Sequence, residues 1–300
     1  MKKSRAGWIA VLLAVLASSP PPTASSQAAS QEAVDALKKL SVEVQRIVSR
    51  DNVRAMYDRT LKLKEMGFSF QAGLLAPRRP DPSWSRCRTR QYAGMKLFDM
   101  GYAVAFLKRG EAIDCVEGLE AVFSALDLRS HADWSGRGFN TMRRAADDPE
   151  SIDPGEILNE LVDNLVDEIP TAMSSPETAH YLLDALFGFS IQSAHVAGTF
   201  QKDGPDASVR ERLYPKSSDA GHESWMSMVL RVFAAFEVEA AKIGLKCEAT
   251  ENLGVIREIA DLVKAEAAEK LGPEDRKIRW DRIGTRVAAA RAAILSTGSR

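Results

Sequence analysis

Between Glu177 and Lys202 the chain carries a single full charge, Asp184, and its apolar residues fall on every side of a helical wheel. A helix that is apolar all round must be covered all round, so this segment is expected at the centre of a core. Ser175 offers an N-cap oxygen and Pro176 a first residue that needs no hydrogen-bond partner, which sets the expected helix at about 176–202. At about 1.5 Å per residue such a helix is roughly 40 Å long, enough to cross a whole domain. The remaining chain has to supply its cover.

That cover reads as amphipathic helices. Residues 31–50 place Val34, Leu37, Leu40, Val44, Ile47 and Val48 on one stripe with charges opposite. Asp51 caps a second helix that Gly67 should end, in the left-handed position that follows many helices. Pro77 and Pro80 exclude a regular helix from 68–81, and Asp81-Pro82 is expected to restart one that runs to about Lys108, with Gly110 as its stop. Glu111 to Leu128 is the expected antiparallel return. Further helical segments follow at 130–146, 153–169, 224–243, 250–271 and 273–295. No stretch shows the alternation of a strand, so the expected fold is an all-α multi-helix bundle. It should contain about nine to ten helices around two apolar core helices, about 82–108 and 176–202. A weak internal echo accompanies this: Tyr92, Leu97-Phe98 and Ala105 recur at constant offset as Tyr181, Leu186-Phe187 and Ala194. It would suit a pseudo-repeat of two helical hairpins.

The N-terminus bears on compartment. Lys2, Lys3 and Arg5 precede the apolar run Trp8 to Ala17, and Ser26-Gln27-Ala28 is a usable cleavage site. Residues 1–28 are therefore expected to be a signal peptide removed near Ala28, leaving 29–300 as a single helical domain in a periplasmic or secreted setting. The apolar run is short of the roughly 20 residues that span a bilayer, and no later transmembrane segment is expected in the mature chain. Lys and Arg total 40 against 41 Asp and Glu, which argues against a nucleic-acid binder. Charge is nevertheless segregated: Ala145 to Phe200 holds eleven acidic residues and no Lys or Arg, while Pro77 to Gly110 holds eight basic residues and two acidic ones. Of the three cysteines, Cys87 and Cys115 should lie far apart on successive helices, so a disulfide is expected to involve Cys247.

Candidate chemistry concentrates on the two apolar helices. His180, Asp184 and His195 lie within about 60° of one another on the wheel. His195 is roughly 22 Å along the axis from His180, so the two cannot share one metal. A carboxylate on so apolar a helix must be paired or have a raised pKa, and the same holds for Asp99; Lys96 is one candidate partner of Asp184. A ligand cleft between the helices is expected to involve Tyr92, Lys96, Asp99, Tyr181, Asp184, His180 and His195. Arg86, Arg88 and Arg90, beside Trp84, are candidate anion-binding residues. His222, Met226 and Met228 form a soft but poorly aligned set, and the acidic stripe Glu156, Glu160, Asp163, Asp167 lies on one helix face that cannot wrap an ion. No metal site and no cofactor are expected, and no hydrolase, zincin or phosphate-loop motif occurs.

The expectation for function is an exported, soluble helical protein acting as a binding or scaffold module of the periplasm or envelope, with a small molecule or envelope component as partner. The alternative is a metal-dependent or hydrolytic enzyme using His180 or His195 with Asp184. Self-association through the segregated charges is a third possibility.

Overall fold

The computed structural model describes residues 31–47, 60–126 without 62, 176–203 and 273–296, with single positions at 58, 147, 148, 257 and 261. Five α-helices occur among them: α1 (Gln31–Ile47), α2 (Arg86–Ala105), α3 (Arg109–Ala125), α4 (Pro176–Asp203) and α5 (Pro273–Leu295), with a short 3-10 helix at Ala72–Leu74. Among the described residues there is no strand, so the all-α reading holds for them. None of these helices is long and apolar enough to cross a membrane. The expected signal peptide, Cys247, the expected acidic helix at 153–169, the 222–228 cluster and the expected return helix of a second hairpin lie outside the described residues.

Helix α1 buries Ala33, Ala36, Leu37, Leu40 and Val44, the stripe that its periodicity requires. Gly67 stops the following helical stretch with φ of 84°. Its N–H donates to the Lys64 carbonyl and that of Phe68 to Leu63, so two otherwise orphaned carbonyls are satisfied as the chain turns away.

The first core helix starts and stops elsewhere than expected. Asp81 does not cap it: its carboxylate accepts from the Ser83 N–H and hydroxyl, both at 2.7 Å, and so builds a turn instead. Ser85 is the cap, its hydroxyl accepting from the Arg88 N–H, and α2 runs from Arg86 rather than residue 82. Its end falls before Gly110. Leu107 takes the left-handed conformation with φ of 57°. The Leu107 and Lys108 N–H groups then close on the Val104 and Ala103 carbonyls. Gly110 lies inside α3.

Helices α2 and α4 run parallel. Arg86 meets Tyr181 at their N-terminal ends, and the Tyr102 and Phe200 rings are 6.2 Å apart near their C-terminal ends. They touch backbone to backbone: a Cβ on Gly94 would lie 1.8 Å from the Ala185 carbonyl oxygen, and one on Gly188 would lie 1.8 Å from that of Gln91. Glycine is needed at both crossings because no side chain fits. Helix α3 returns antiparallel to α2, and α5 lies antiparallel to both core helices, with its C-terminal Ser296 carbonyl accepting from Trp84 and Arg88. Helix α5 buries Ile283, Val287, Ala290 and Ile294 along one stripe. An aromatic cluster of Phe98, Tyr102, Phe106 and Phe200, joined by Phe68 and Phe70 from the preceding loop, fills the C-terminal end of the α2–α4 pair.

Candidate functional site

The segment 71–77, whose only helical piece is the 3-10 turn Ala72–Leu74, lies along α2 in the opposite direction, and a polar stripe on that helix holds its backbone. Tyr92, Lys96, Asp99 and Tyr102 recur every three or four residues and so share one face. The Tyr102 hydroxyl accepts from the Gln71 N–H at 3.0 Å, and Asp99 Oδ2 accepts from the Ala76 N–H at 2.7 Å. Lys96 Nζ donates to the Ala76 carbonyl at 3.0 Å, and the Tyr92 hydroxyl donates to the Pro77 carbonyl at 2.7 Å. Two further helices complete the set. Gln192 of α4 donates to Asp99 Oδ1 and to the Leu74 carbonyl, while Arg291 of α5 donates to Gln192 Oε1 and to the Leu74 and Leu75 carbonyls. A loop has no ladder of its own, and its buried backbone groups must find side-chain partners. Here helix-borne residues provide them.

The electrostatics of this network follow from its burial. Asp99 is wholly buried, and desolvation raises its carboxyl from 3.8 to about 6 against the opposing pull of Lys96, the Ala76 amide, Gln192 and Arg291. Burial pushes the Cys115 thiol up to about 12, with Lys96 opposing, and raises Tyr92. Arg291 is lowered by burial, with Asp99 opposing. His195 falls to about 4 through burial and the Arg291 charge, so it is a neutral imidazole at neutral pH.

A second network occupies the N-terminal end of the same helix pair. Asp184 is fully buried, accepts from Arg90 Nε at 2.7 Å through Oδ2, and accepts the Cys87 thiol at 3.2 Å through Oδ1. Arg90 also lies over the Tyr181 ring, 4.5 Å from its centre. Burial alone would lower the Arg90 guanidinium, but the Asp184 carboxylate outweighs it and holds it raised. His180, one turn before Asp184, is lowered by burial, with Asp184 raising and Arg90 lowering it in turn.

The seven residues expected around one cleft therefore divide between two networks. Tyr92, Lys96 and Asp99 hold the 71–77 backbone; Tyr181, Asp184 and His180 gather about Arg90; His195 faces the charge of Arg291. The Gly94 and Gly188 contacts close the helices on each other between Ala185 and Gln91. The partner of Asp184 is Arg90, not Lys96. The three candidate anion-binding arginines have separate partners: Arg86 donates to Tyr181 and the Leu126 carbonyl, Arg88 to the Ser296 carbonyl, and Arg90 to Asp184. Cys87 and Cys115 are both buried and are not bonded to each other. Among the described residues, ion pairs from Arg90 to Asp184 and from Arg109 to Asp147 link the basic and acidic segments. Among the described residues no group of three or more His, Cys, Asp or Glu could hold a metal ion.

Gln192 and Arg291 are absent from the sequence reading. An amide on an apolar helix and one arginine in a basic tail carry no local signal of a shared partner. The sequence likewise carries no local signal of an open cleft of about 770 Å³ beside the α2–α3 hairpin. Arg79, Trp84, Arg86 and Thr89 line one side of it, Glu117 and Glu120 the other. No protein family, curated protein or solved structure matches this chain.

Proposed function

We propose that the chain is an exported helical binding module of the cell envelope that holds a small molecule in the cleft between residues 79–89 and α3. The observation that carries the reading is the cleft itself. Its 770 Å³ falls inside the range of about 300–1,000 Å³ found for small-molecule sites, and it combines a few charged groups with apolar surface. The Tyr92–Asp99 stripe supports it indirectly, because it anchors the segment that leads into the cleft wall at Arg79. Export rests on Lys2, Lys3, Arg5 and the apolar run that follows. The larger architecture, nine to ten helices with repeated hairpins, rests on the sequence pattern of the segments between α3 and α5. Native mass spectrometry of protein isolated gently from the exported fraction of its host tests both parts. The expected result is a chain starting near Ala29 that carries additional mass. An uncleaved chain would sink the export reading, and a bare mass that no small-molecule library shifts in melting temperature would sink the binding reading.

The catalytic alternative has one observation in its favour, the Cys87 thiol on Asp184 with His180 one turn away. The thiol is already engaged as a donor to that carboxylate, and Cys87 is only 8% exposed. Rapid alkylation of Cys87 near neutral pH would favour the enzyme; slow alkylation favours the binding module.

A further inference from the structure

We infer that the Asp81–Pro82 peptide bond is a self-cleavage site, at which the Asp81 carboxylate attacks its own main-chain carbonyl and water completes the hydrolysis. Covalent structure predisposes any aspartyl–prolyl bond to this reaction. The carboxylate can close a five-membered ring on the carbonyl carbon of its own residue, and the proline nitrogen departs as a readily protonated secondary amine. The chain contains three such bonds, Asp81–Pro82, Asp148–Pro149 and Asp153–Pro154. The turn around the first supplies what the reaction needs.

The carbonyl oxygen of the bond to be cut accepts from the Trp84 N–H at 3.0 Å. That donor is already in place where negative charge develops when the carbonyl is attacked. Asp81 Oδ1 accepts from the Ser83 hydroxyl and N–H, both at 2.7 Å, which leaves Oδ2 without a hydrogen bond among the described residues and able to attack. The same two bonds hold the carboxyl below its ordinary value. The nucleophile therefore stays ionised in mild acid, where protons for the leaving nitrogen are plentiful. Asp81 and Pro82 both line the open cleft, so water reaches the bond; the other charged groups in that lining are Arg79, Arg86 of α2, and Glu117 and Glu120 of α3. In the reaction Oδ2 bonds to the Asp81 carbonyl carbon, the C–N bond to Pro82 breaks, and the proline nitrogen takes a proton from solvent. Water then opens the cyclic anhydride, leaving two carboxyl groups on Asp81 and a free amine on Pro82. One water is consumed and nothing is oxidised or reduced. The pieces stay together, because Tyr92, Lys96, Asp99, Gln192 and Arg291 still hold the backbone of residues 74–77.

The purified protein, held at about pH 5 with protease inhibitors, is followed by mass spectrometry both folded and in urea. Fragments beginning at Pro82 should accumulate about tenfold or more faster from the folded protein than in urea. In the folded protein they should also outpace fragments beginning at Pro149 or Pro154, which serve as internal controls. Asp81→Glu keeps the charge but requires a six-membered ring, and Pro82→Ala keeps the nucleophile but replaces the tertiary amide. Each should suppress the cut by about tenfold or more. Added hydroxylamine should be captured as a hydroxamate on the fragment ending at Asp81. Cleavage no faster in the folded protein than in urea overturns the inference, and that comparison needs no variant. Cleavage that persists in Asp81→Glu overturns it too, as does folded-state cleavage that yields no hydroxamate, since no anhydride then forms.

Discussion

Asp99 is a carboxylate whose ionisation should be felt by the whole fold. Both of its oxygens accept from buried N–H groups, those of Ala76 and Gln192, and burial raises its carboxyl from 3.8 to about 6. Between those values the folded protein binds more protons at this site than the unfolded chain does. Its contribution to stability is therefore complete below about pH 4 and is lost as pH rises through about 6. At about 1.4 kcal/mol per pH unit the loss is about 3 kcal/mol. His195, held down to about 4, has the opposite sign: its contribution is present above about pH 6.5 and is lost as pH falls through about 4. It is partly exposed, so its effect is the smaller. The two overlap and mask each other in the parent protein, and a difference measurement separates them. In equilibrium urea unfolding, Asp99→Asn should be less stable than the parent at about pH 4 by about 1–3 kcal/mol, because an amide N–H then faces a buried donor. That deficit should shrink by about 3 kcal/mol on going to pH 7, where the parent carries the cost of the buried charge. A difference constant to within about 0.5 kcal/mol across this range would refute the reasoning. Should the variant fail to fold, carbon NMR titration of the Asp99 carboxyl in the parent decides the matter: a midpoint near 6 is expected, and one below 4 sinks the argument.

Four further outcomes follow from the geometry. Gly94→Ala or Gly188→Ala forces two backbones apart and should destabilise by at least about 4 kcal/mol in denaturant, or prevent folding. Gly101→Ala, with nothing within 4 Å, should instead stabilise by about 0.5–1 kcal/mol. Leu107→Gly removes the strain of a left-handed leucine that is 40% exposed and should raise stability by about 0.5–1 kcal/mol, read as a higher melting temperature. Arg90→Met leaves Asp184 buried without its cation and should cost about 3–5 kcal/mol, with Asp184→Asn in the same background recovering part of the loss.

The parts of the fold that were legible in the sequence are those decided by local chemistry. Only glycine adopts the backbone at 67 without strain, so its role as a helix stop could be read from the chain. The helix at 176–203 announced itself by its length, its proline and its lack of charge. The start of α2 was misplaced because Asp81-Pro82 and Ser85 are both start signals, and the bond from Ser83 that commits Asp81 to a turn is invisible in composition. Its stop was misplaced because a left-handed leucine has no signature. That Asp99 and Asp184 each require an answer to burial could be read, but not which answer. Asp184 found a guanidinium one helix away, whereas Asp99 became part of a network completed by Gln192 and Arg291 from helices far along the chain. Parallel packing of α2 on α4 aligns these residues, and no local periodicity encodes that alignment.

The reach of Arg291 sets an order on how the molecule can be assembled. The carbonyls of Leu74 and Leu75 that it satisfies lie 217 and 216 residues earlier in the chain. During synthesis the segment 71–77, α2 and α3 all emerge long before Arg291 does. Until α5 arrives, these two carbonyls and the Gln192 side-chain oxygen lack the cation that joins them. The nascent chain can build its helices and the α2 bonds to the loop early, but the Arg291 bonds to Leu74 and Leu75 form only when α5 docks. For a chain exported as proposed, that delay leaves these bonds to the loop unmade until α5 has been synthesised.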